Sequence, residues 1–234
     1  MHPHLAHGIS RFQRGHFRRH RHTYQALARQ GQQPERLFIA CADSRILPSA
    51  LTSAKPGDMF QLRNVGNMVP PHGSECAATG SAIEYALHVL NVREIVVCGH
   101  SHCGACAALL DGKAPDGLHL TGEWLEQGRP VRDLIVSSLE REDLNMHEAL
   151  REKEHRAHLL TALEKAMVVQ HLRNLRSYPE IDRRLRDGRL TIHGWHYNIE
   201  SGAVEHYDPE RLVFAPIRPA PKEPLLRRAL AACW

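Results

Sequence analysis

No stretch of the 234-residue chain approaches 18 consecutive apolar residues, so no membrane-spanning helix is expected. The first 22 residues, MHPHLAHGISRFQRGHFRRHRH, lack an apolar core and a cleavage site, which argues against a secretory leader and points to the cytoplasm. Internal repeats and low-complexity linkers are missing as well. Surplus charge is small: 30 Lys and Arg stand against 26 Asp and Glu, a formal +4. A nucleic-acid binder would cluster a larger excess. The one basic run, residues 11–22, reads as a solvated helix face. Neither a nucleic acid nor a membrane is an expected partner. The His-x-Glu and Pro-Cys-x-x-Cys patterns of zinc deaminases are also absent.

What is present is a set of six cysteines, at 41, 76, 98, 103, 106 and 233, and 18 histidines. In a cytoplasmic chain of this length the cysteines read as metal ligands or buried thiols rather than a disulfide framework. The apolar pattern then places them. Arg36-Leu-Phe-Ile-Ala-Cys41 and Glu94-Ile-Val-Val-Cys-Gly99 are short apolar runs, and Asp58–Arg63 follows the turn dipeptide Pro56-Gly57; all three read as strands. Between them, residues 74–90 carry a helical stripe through Ile83, Leu87 and Leu90, and a further helix is expected over roughly 102–110. Strand and helix alternate, which implies crossovers and a parallel sheet buried on both faces. Residues 112–187 read as mostly helical. A hairpin of 189–198 and 203–207 around the turn Glu200-Ser-Gly202 finishes the sheet. Residues 1–30 read as a helical arm too polar to stand alone, packing on the domain or on a partner subunit. Residues 31–214 form the α/β domain, and 215–234 an extended tail.

Two motifs end strands. Cys41-Ala-Asp-Ser-Arg45 follows the first, and His100-Ser-His-Cys103 follows the third and runs into a helix. Open parallel sheets build their ligand sites beyond the carboxyl ends of strands, so both motifs fall on one rim. Zn²⁺ accepts thiolate and imidazole tetrahedrally, and a catalytic site supplies three protein ligands and keeps one position open. Cys41, His100 and Cys103 make such a set, with the helix start favouring the thiolate of Cys103. His102 would have to point the opposite way, and Cys76, Cys98 and Cys106 read as structural.

These residues, in this order, resemble β-class carbonic anhydrases. The resemblance runs through Gln32-Gln33-Pro34, Cys41-Ala-Asp-Ser-Arg-Ile-Leu-Pro48, Pro56-Gly-Asp-Met-Phe60, Arg63-Asn-Val-Gly-Asn67, Pro70-Pro71, Ile83-Glu-Tyr85, Cys98-Gly-His-Ser-His-Cys-Gly104 and His193-Gly-Trp195. It implies an α/β fold with a mostly parallel β-sheet, four parallel strands plus an antiparallel edge strand, flanked by helices. The same resemblance implies a homodimer or homotetramer with interwound subunits. Matched position by position, Cys41, His100 and Cys103 become the zinc ligands, and Asp43 and Arg45 the acid–base pair beside the metal. Gln32, Phe60 and Tyr85 match the substrate lining of the plant-like branch, part of which comes from the partner subunit. Phe38 stands where a bicarbonate-regulated branch carries Trp.

The implied activity is reversible hydration of carbon dioxide to bicarbonate by zinc-bound hydroxide. Two thiolates and a neutral imidazole cancel the ion's charge, +2 − 2 + 0 = 0, so the metal needs help to work near neutral pH. Asp43 supplies it by accepting a hydrogen bond, and Arg45 keeps Asp43 charged and aimed through its planar fork. Gln32 would donate to the developing oxyanion, and Phe60 and Tyr85 would wall an apolar substrate. Two alternatives remain: hydrolysis of carbon disulfide or carbonyl sulfide on the same fold, and a non-catalytic zinc-stabilised binding protein.

Overall fold

Six strands form one sheet in the spatial order β2-β1-β3-β4-β5-β6: β1 Arg36–Cys41, β2 Met59–Asn64, β3 Glu94–His100, β4 Thr191–Tyr197, β5 Val204–Asp208 and β6 Val213–Pro216. The computed structural model of the chain describes residues 2–217 apart from 75, 115 and 142–149. β2, β1, β3 and β4 run parallel, whereas β5 and β6 are antiparallel additions. The four parallel strands and the antiparallel hairpin strand follow the sequence pattern. The sheet edge, however, is β6 rather than β5. Arg211 and Leu212 turn the chain back, so Val213–Pro216 pairs with β5, and the stretch expected to begin an extended tail at 215 is still sheet. Residues 218–234 lie outside the described residues, Cys233 among them.

Alternation along β1 sorts its side chains to two faces. Leu37 and Ile39 join Ile95 and Val97 beneath the helix α4 (Ala77–His88), together with Leu172 and Leu175 of α8 (Lys153–Arg176) and Ile181 of α9 (Pro179–Arg186). Phe38 and Ala40 face the other way with Val96 and Cys98, capped in part by Leu51 of α3 (Pro48–Thr52). Both faces are covered, which is why the run reads as continuously apolar. The first helix after the second strand starts at Ala77 rather than 74, because His72 to Ser74 form a turn.

At the N-terminus, α1 (Pro3–Arg11) and α2 (Arg21–Gln30) flank a wider π-helical turn, Phe12–Phe17. Phe12, Phe17 and Tyr24 cluster, yet Leu5, Ile9 and Phe12 stay exposed. The arm touches the domain where Leu27 crosses Gly57; a methyl built on Gly57 would fall 2.8 Å from Leu27 Cδ2. Between β3 and α8 run α5 (Gly104–Leu110), α6 (His119–Leu125) and α7 (Arg129–Arg141). None of the described helices is long and apolar enough to cross a membrane.

Candidate metal centre

The strand order fixes where the site forms. From β1 the chain crosses outward to β2, then back past β1 to β3. The connections therefore leave β1 and β3 in opposite directions, and a crevice opens beyond their carboxyl ends. Cys41 ends β1, His100 ends β3, and Cys103 precedes α5. Their ligand atoms all lie within 4.8 Å of one another. All three residues are buried, at 6%, 1% and 1% exposure.

His100 shows the electronic requirement most directly. Its Nδ1 lies 2.9 Å from the Ser101 carbonyl oxygen, which fixes that nitrogen as the donor. Nε2 is then the lone-pair nitrogen, and it is buried with no hydrogen-bond partner. A buried polar atom left unpaired is costly. A cation between Nε2 and two sulfurs removes that cost, and a donor set of two thiolates and one imidazole suits Zn²⁺.

The thiols alone are not poised to ionise. Hydrogen bonding with Cys103 and burial push Cys41 up to about 12. Cys103 is likewise pushed up to about 12, chiefly by hydrogen bonding with Cys106 and by burial. Burial and the Cys106 contact thus oppose the polarity of the α5 start at Cys103. The negative form needs a cation beside it, and binding one must release the thiol protons.

Asp43 sits half-buried in the loop after β1 and is held by its neighbour in a bidentate pair. Arg45 Nε donates to Oδ1 at 3.0 Å and Nη2 to Oδ2 at 2.7 Å. The Arg45 backbone N–H also donates to Oδ1, at 2.9 Å, a turn that Asp forms readily. These bonds hold the Asp43 carboxyl well below the usual carboxylate range. Arg63 on β2 clamps the same loop by donating to the carbonyls of Cys41 and Asp43, at 2.9 and 2.7 Å through Nη2. Gly66 completes the cradle: its N–H donates to Cys41 Sγ at 3.3 Å. Its φ of +77° and the 3.0 Å approach of Ala105 Cβ to any added methyl exclude larger residues.

The carbonic anhydrase family model matches residues 36–204. The carbonic anhydrase of Synechocystis is 40% identical over 208 residues, covering 87% of this chain and 70% of that protein. The structure of the β-carbonic anhydrase CcaA superposes with a TM-score of 0.82 at 36% identity, covering 92% of each chain. A tetrameric β-carbonic anhydrase structure from Sordaria macrospora gives 0.72 at 28% identity, over 87% of this chain and 95% of that one. The chain belongs to the β-class carbonic anhydrase family.

Other expected members of this carbonic anhydrase site are not brought to the metal-capable group within one chain. Phe60 pairs in register with Leu37, four residues before Cys41, which places it roughly 13 Å back along the sheet at a strand rise of about 3.3 Å per residue. Tyr85 stacks at a tilt on Phe60, centroids 5.8 Å apart, and remains 44% exposed. Gln32 precedes β1, at the rim opposite Cys41, and is exposed. A groove of about 830 Å³ on the Phe38–Trp195 face also includes none of the three ligand candidates. His102 points outward as expected, with Nε2 3.4 Å from Glu200 Oε1. Sequence reasoning passed over Glu164. This carboxyl group reaches Cys103 from α8 across 61 residues, and a Glu in a helical stretch carries no local sign of burial.

Proposed function

We propose that the protein is a zinc-dependent carbonic anhydrase that interconverts carbon dioxide and bicarbonate. The observation that carries this reading is the buried convergence of Cys41 Sγ, Cys103 Sγ and an unpaired His100 Nε2, beside a carboxylate already bound by Arg45. These three atoms would hold the ion. When bound, zinc supplies a Lewis acid that brings water ionisation toward neutral pH.

The chain's own groups do the rest. Asp43 Oδ1 accepts two hydrogen bonds and Oδ2 accepts one, so a carboxylate with about four acceptor sites keeps one free on Oδ2. Held below the ordinary range by Arg45, Asp43 stays an acceptor at neutral pH and orients the reacting water instead of storing a proton. The metal-capable group does not include Asp43, which is engaged by Arg45 instead. Arg45 Nη2 also donates to the His102 carbonyl at 2.9 Å, tying the Cys41 loop to the Cys103 loop.

The substrate half of the site is shared between subunits in this reading. Gln32, Phe60 and Tyr85 line the partner's metal centre in a homodimer or homotetramer, the arm of residues 1–30 packs on the neighbouring subunit, and residues 31–214 carry the catalysis. The exposed Tyr85 lying on Phe60, the exposed Leu5, Ile9 and Phe12 and the tetrameric Sordaria relative support it. Ligand thiols that must stay reduced suit the cytoplasm. Zinc content measured with stopped-flow carbon dioxide hydration across pH tests the proposal. A zinc-loaded protein without hydration activity overturns it, and turnover of carbonyl sulfide in its place identifies the alternative hydrolase.

A further inference from the structure

Glu164 is 2% exposed and belongs to no part of the mechanism above. It sits on α8, which approaches the sheet closely because Gly99 and Gly194 carry no side chain. A methyl on either would lie 2.6 or 2.8 Å from Val168. Glu164, one turn before Val168, is thereby carried to the end of β3. Its Oε1 accepts the backbone N–H of Cys103 at 2.9 Å. Its Oε2 lies 3.2 Å from Nε2 of the buried His196. His196 Nδ1 lies 3.8 Å from Glu205 Oε2, and Glu205 pairs with Lys165 at 2.6 Å.

The Cys103 amide is one side of a peptide whose other side is also held. Its carbonyl, that of His102, accepts Arg45 Nη2 at 2.9 Å. His102 itself has φ +57°, a left-handed conformation that needs support in a residue with a side chain. Because a peptide unit is planar and stiff, fixing its O and its N–H fixes the position of the next Cα. That next residue is Cys103.

We infer that Glu164 is a positioning residue of the metal centre: with Arg45 it clamps the His102–Cys103 peptide, so that Cys103 Sγ is held ready for the ion. The clamp rests on the zinc reading above and adds a role for a buried acid remote in sequence. It also links the Asp43–Arg45 pair to a ligand through one peptide bond. Groups that orient a ligand in this way typically set about 10–100-fold in metal affinity.

The test follows zinc release from the holoenzyme to a chelator, and the spectrum of the cobalt-substituted protein, in wild type, Glu164→Gln and Glu164→Met. Gln keeps a neutral acceptor for the Cys103 amide, so release should quicken about threefold. Met keeps the volume but removes the acceptor, so release should quicken about 10–100-fold, with a shifted thiolate-to-cobalt band. Equal release rates and unshifted spectra in all three overturn the clamp. Should Glu164→Met not fold, Glu164→Gln decides alone: a faster release with a shifted band supports the clamp, and no change overturns it. A wild-type protein that binds no zinc refutes the metal reading itself, and the clamp falls with it.

Discussion

The ends of β1 and β3 and the start of β2 are built on different principles. At the strand ends, Cys41, His100 and Cys103 are buried and converge within one chain. On β2, Phe60 is half-buried against the core, and Tyr85 of α4 lies on it with its outer side exposed. The first region is finished by the fold of a single subunit. The second is an apolar surface left for something else to use. A metal site tolerates no slack in ligand position, so one crevice must hold every ligand. An apolar wall for a small substrate needs only to be present, and a second subunit can bring it.

Breaking the first region should have the largest effect. Cys41→Ser or Cys103→Ser should weaken zinc binding by at least about 10²-fold and abolish activity, because a hydroxyl is a poor replacement for thiolate. Cys106→Ser is the comparison and should keep zinc, because a hydroxyl still offers Cys103 a hydrogen bond and Cys106 is outside the metal-capable group. Metal content after dialysis gives the answer, and full zinc in either ligand variant would remove that residue from the site. Because two neutral thiols must each lose a proton, zinc affinity should fall about 100-fold for each pH unit lowered from 8 to 7. Chelator competition measures that slope, and a slope near tenfold would mean only one thiol ligates.

Asp43→Ala separates turnover from metal holding. It should keep zinc while kcat falls about 10²-fold. Arg45→Ala should cost a similar factor, and the double variant much less than the product of the two. Independent losses in that cycle would show that the pair does not act as one geometry.

Sharpening the comparison calls for mixed subunits. In the proposed homodimer, Cys41→Ser and Tyr85→Ala chains should each be poor enzymes on their own. Refolded together in equal amounts, half the dimers are mixed, and each mixed dimer has one intact site if Tyr85 serves the partner. About a quarter of wild-type activity should return under this symmetric exchange. No recovery would mean that Tyr85 does not complete the partner's site.

The smallest effect concerns the core behind both regions. His171 on α8 is fully buried and accepts the Val69 N–H at Nδ1, 3.3 Å away; burial lowers its pKa to about 4. The native state thus resists protonation, while the unfolded chain protonates near the ordinary histidine value of about 6.5. Stability from this group is complete above about 6.5 and is lost as pH falls toward 4, by about 3 kcal/mol for a shift of roughly 2.5 units. Denaturant unfolding of wild type against His171→Gln measures it. Equal pH slopes would assign the loss elsewhere.

The grouping of Cys41, His100 and Cys103 was readable from residues alone, because Cys41 and His100 end apolar runs whose strand character is local and Cys103 follows three residues after His100. Asp43 and Arg45 were readable for a similar reason: two residues apart in one loop, they pair without help from the rest of the chain. The sheet edge was less so, since Val213–Pro216 resembles any short apolar stretch before a proline-rich segment. Cys103 shows opposing influences on one thiol. Polarity at the α5 start and the Cys106 contact are both local, whereas the burial that also raises Cys103 is tertiary.

The amino-acid sequence determined by itself the alternation of strands and helices, the chemistry of the donors and the family. All of these depend on residue type and short spacing. Only the tertiary structure decided that Glu164 reaches the Cys103 amide. The same holds for Phe60 and Tyr85, which stand away from the metal crevice of their own chain. Each of these depends on how closely α8 can approach β3 and β4, or on which strand a side chain meets in register. Such distances join residues far apart in the chain, where no local pattern carries the information.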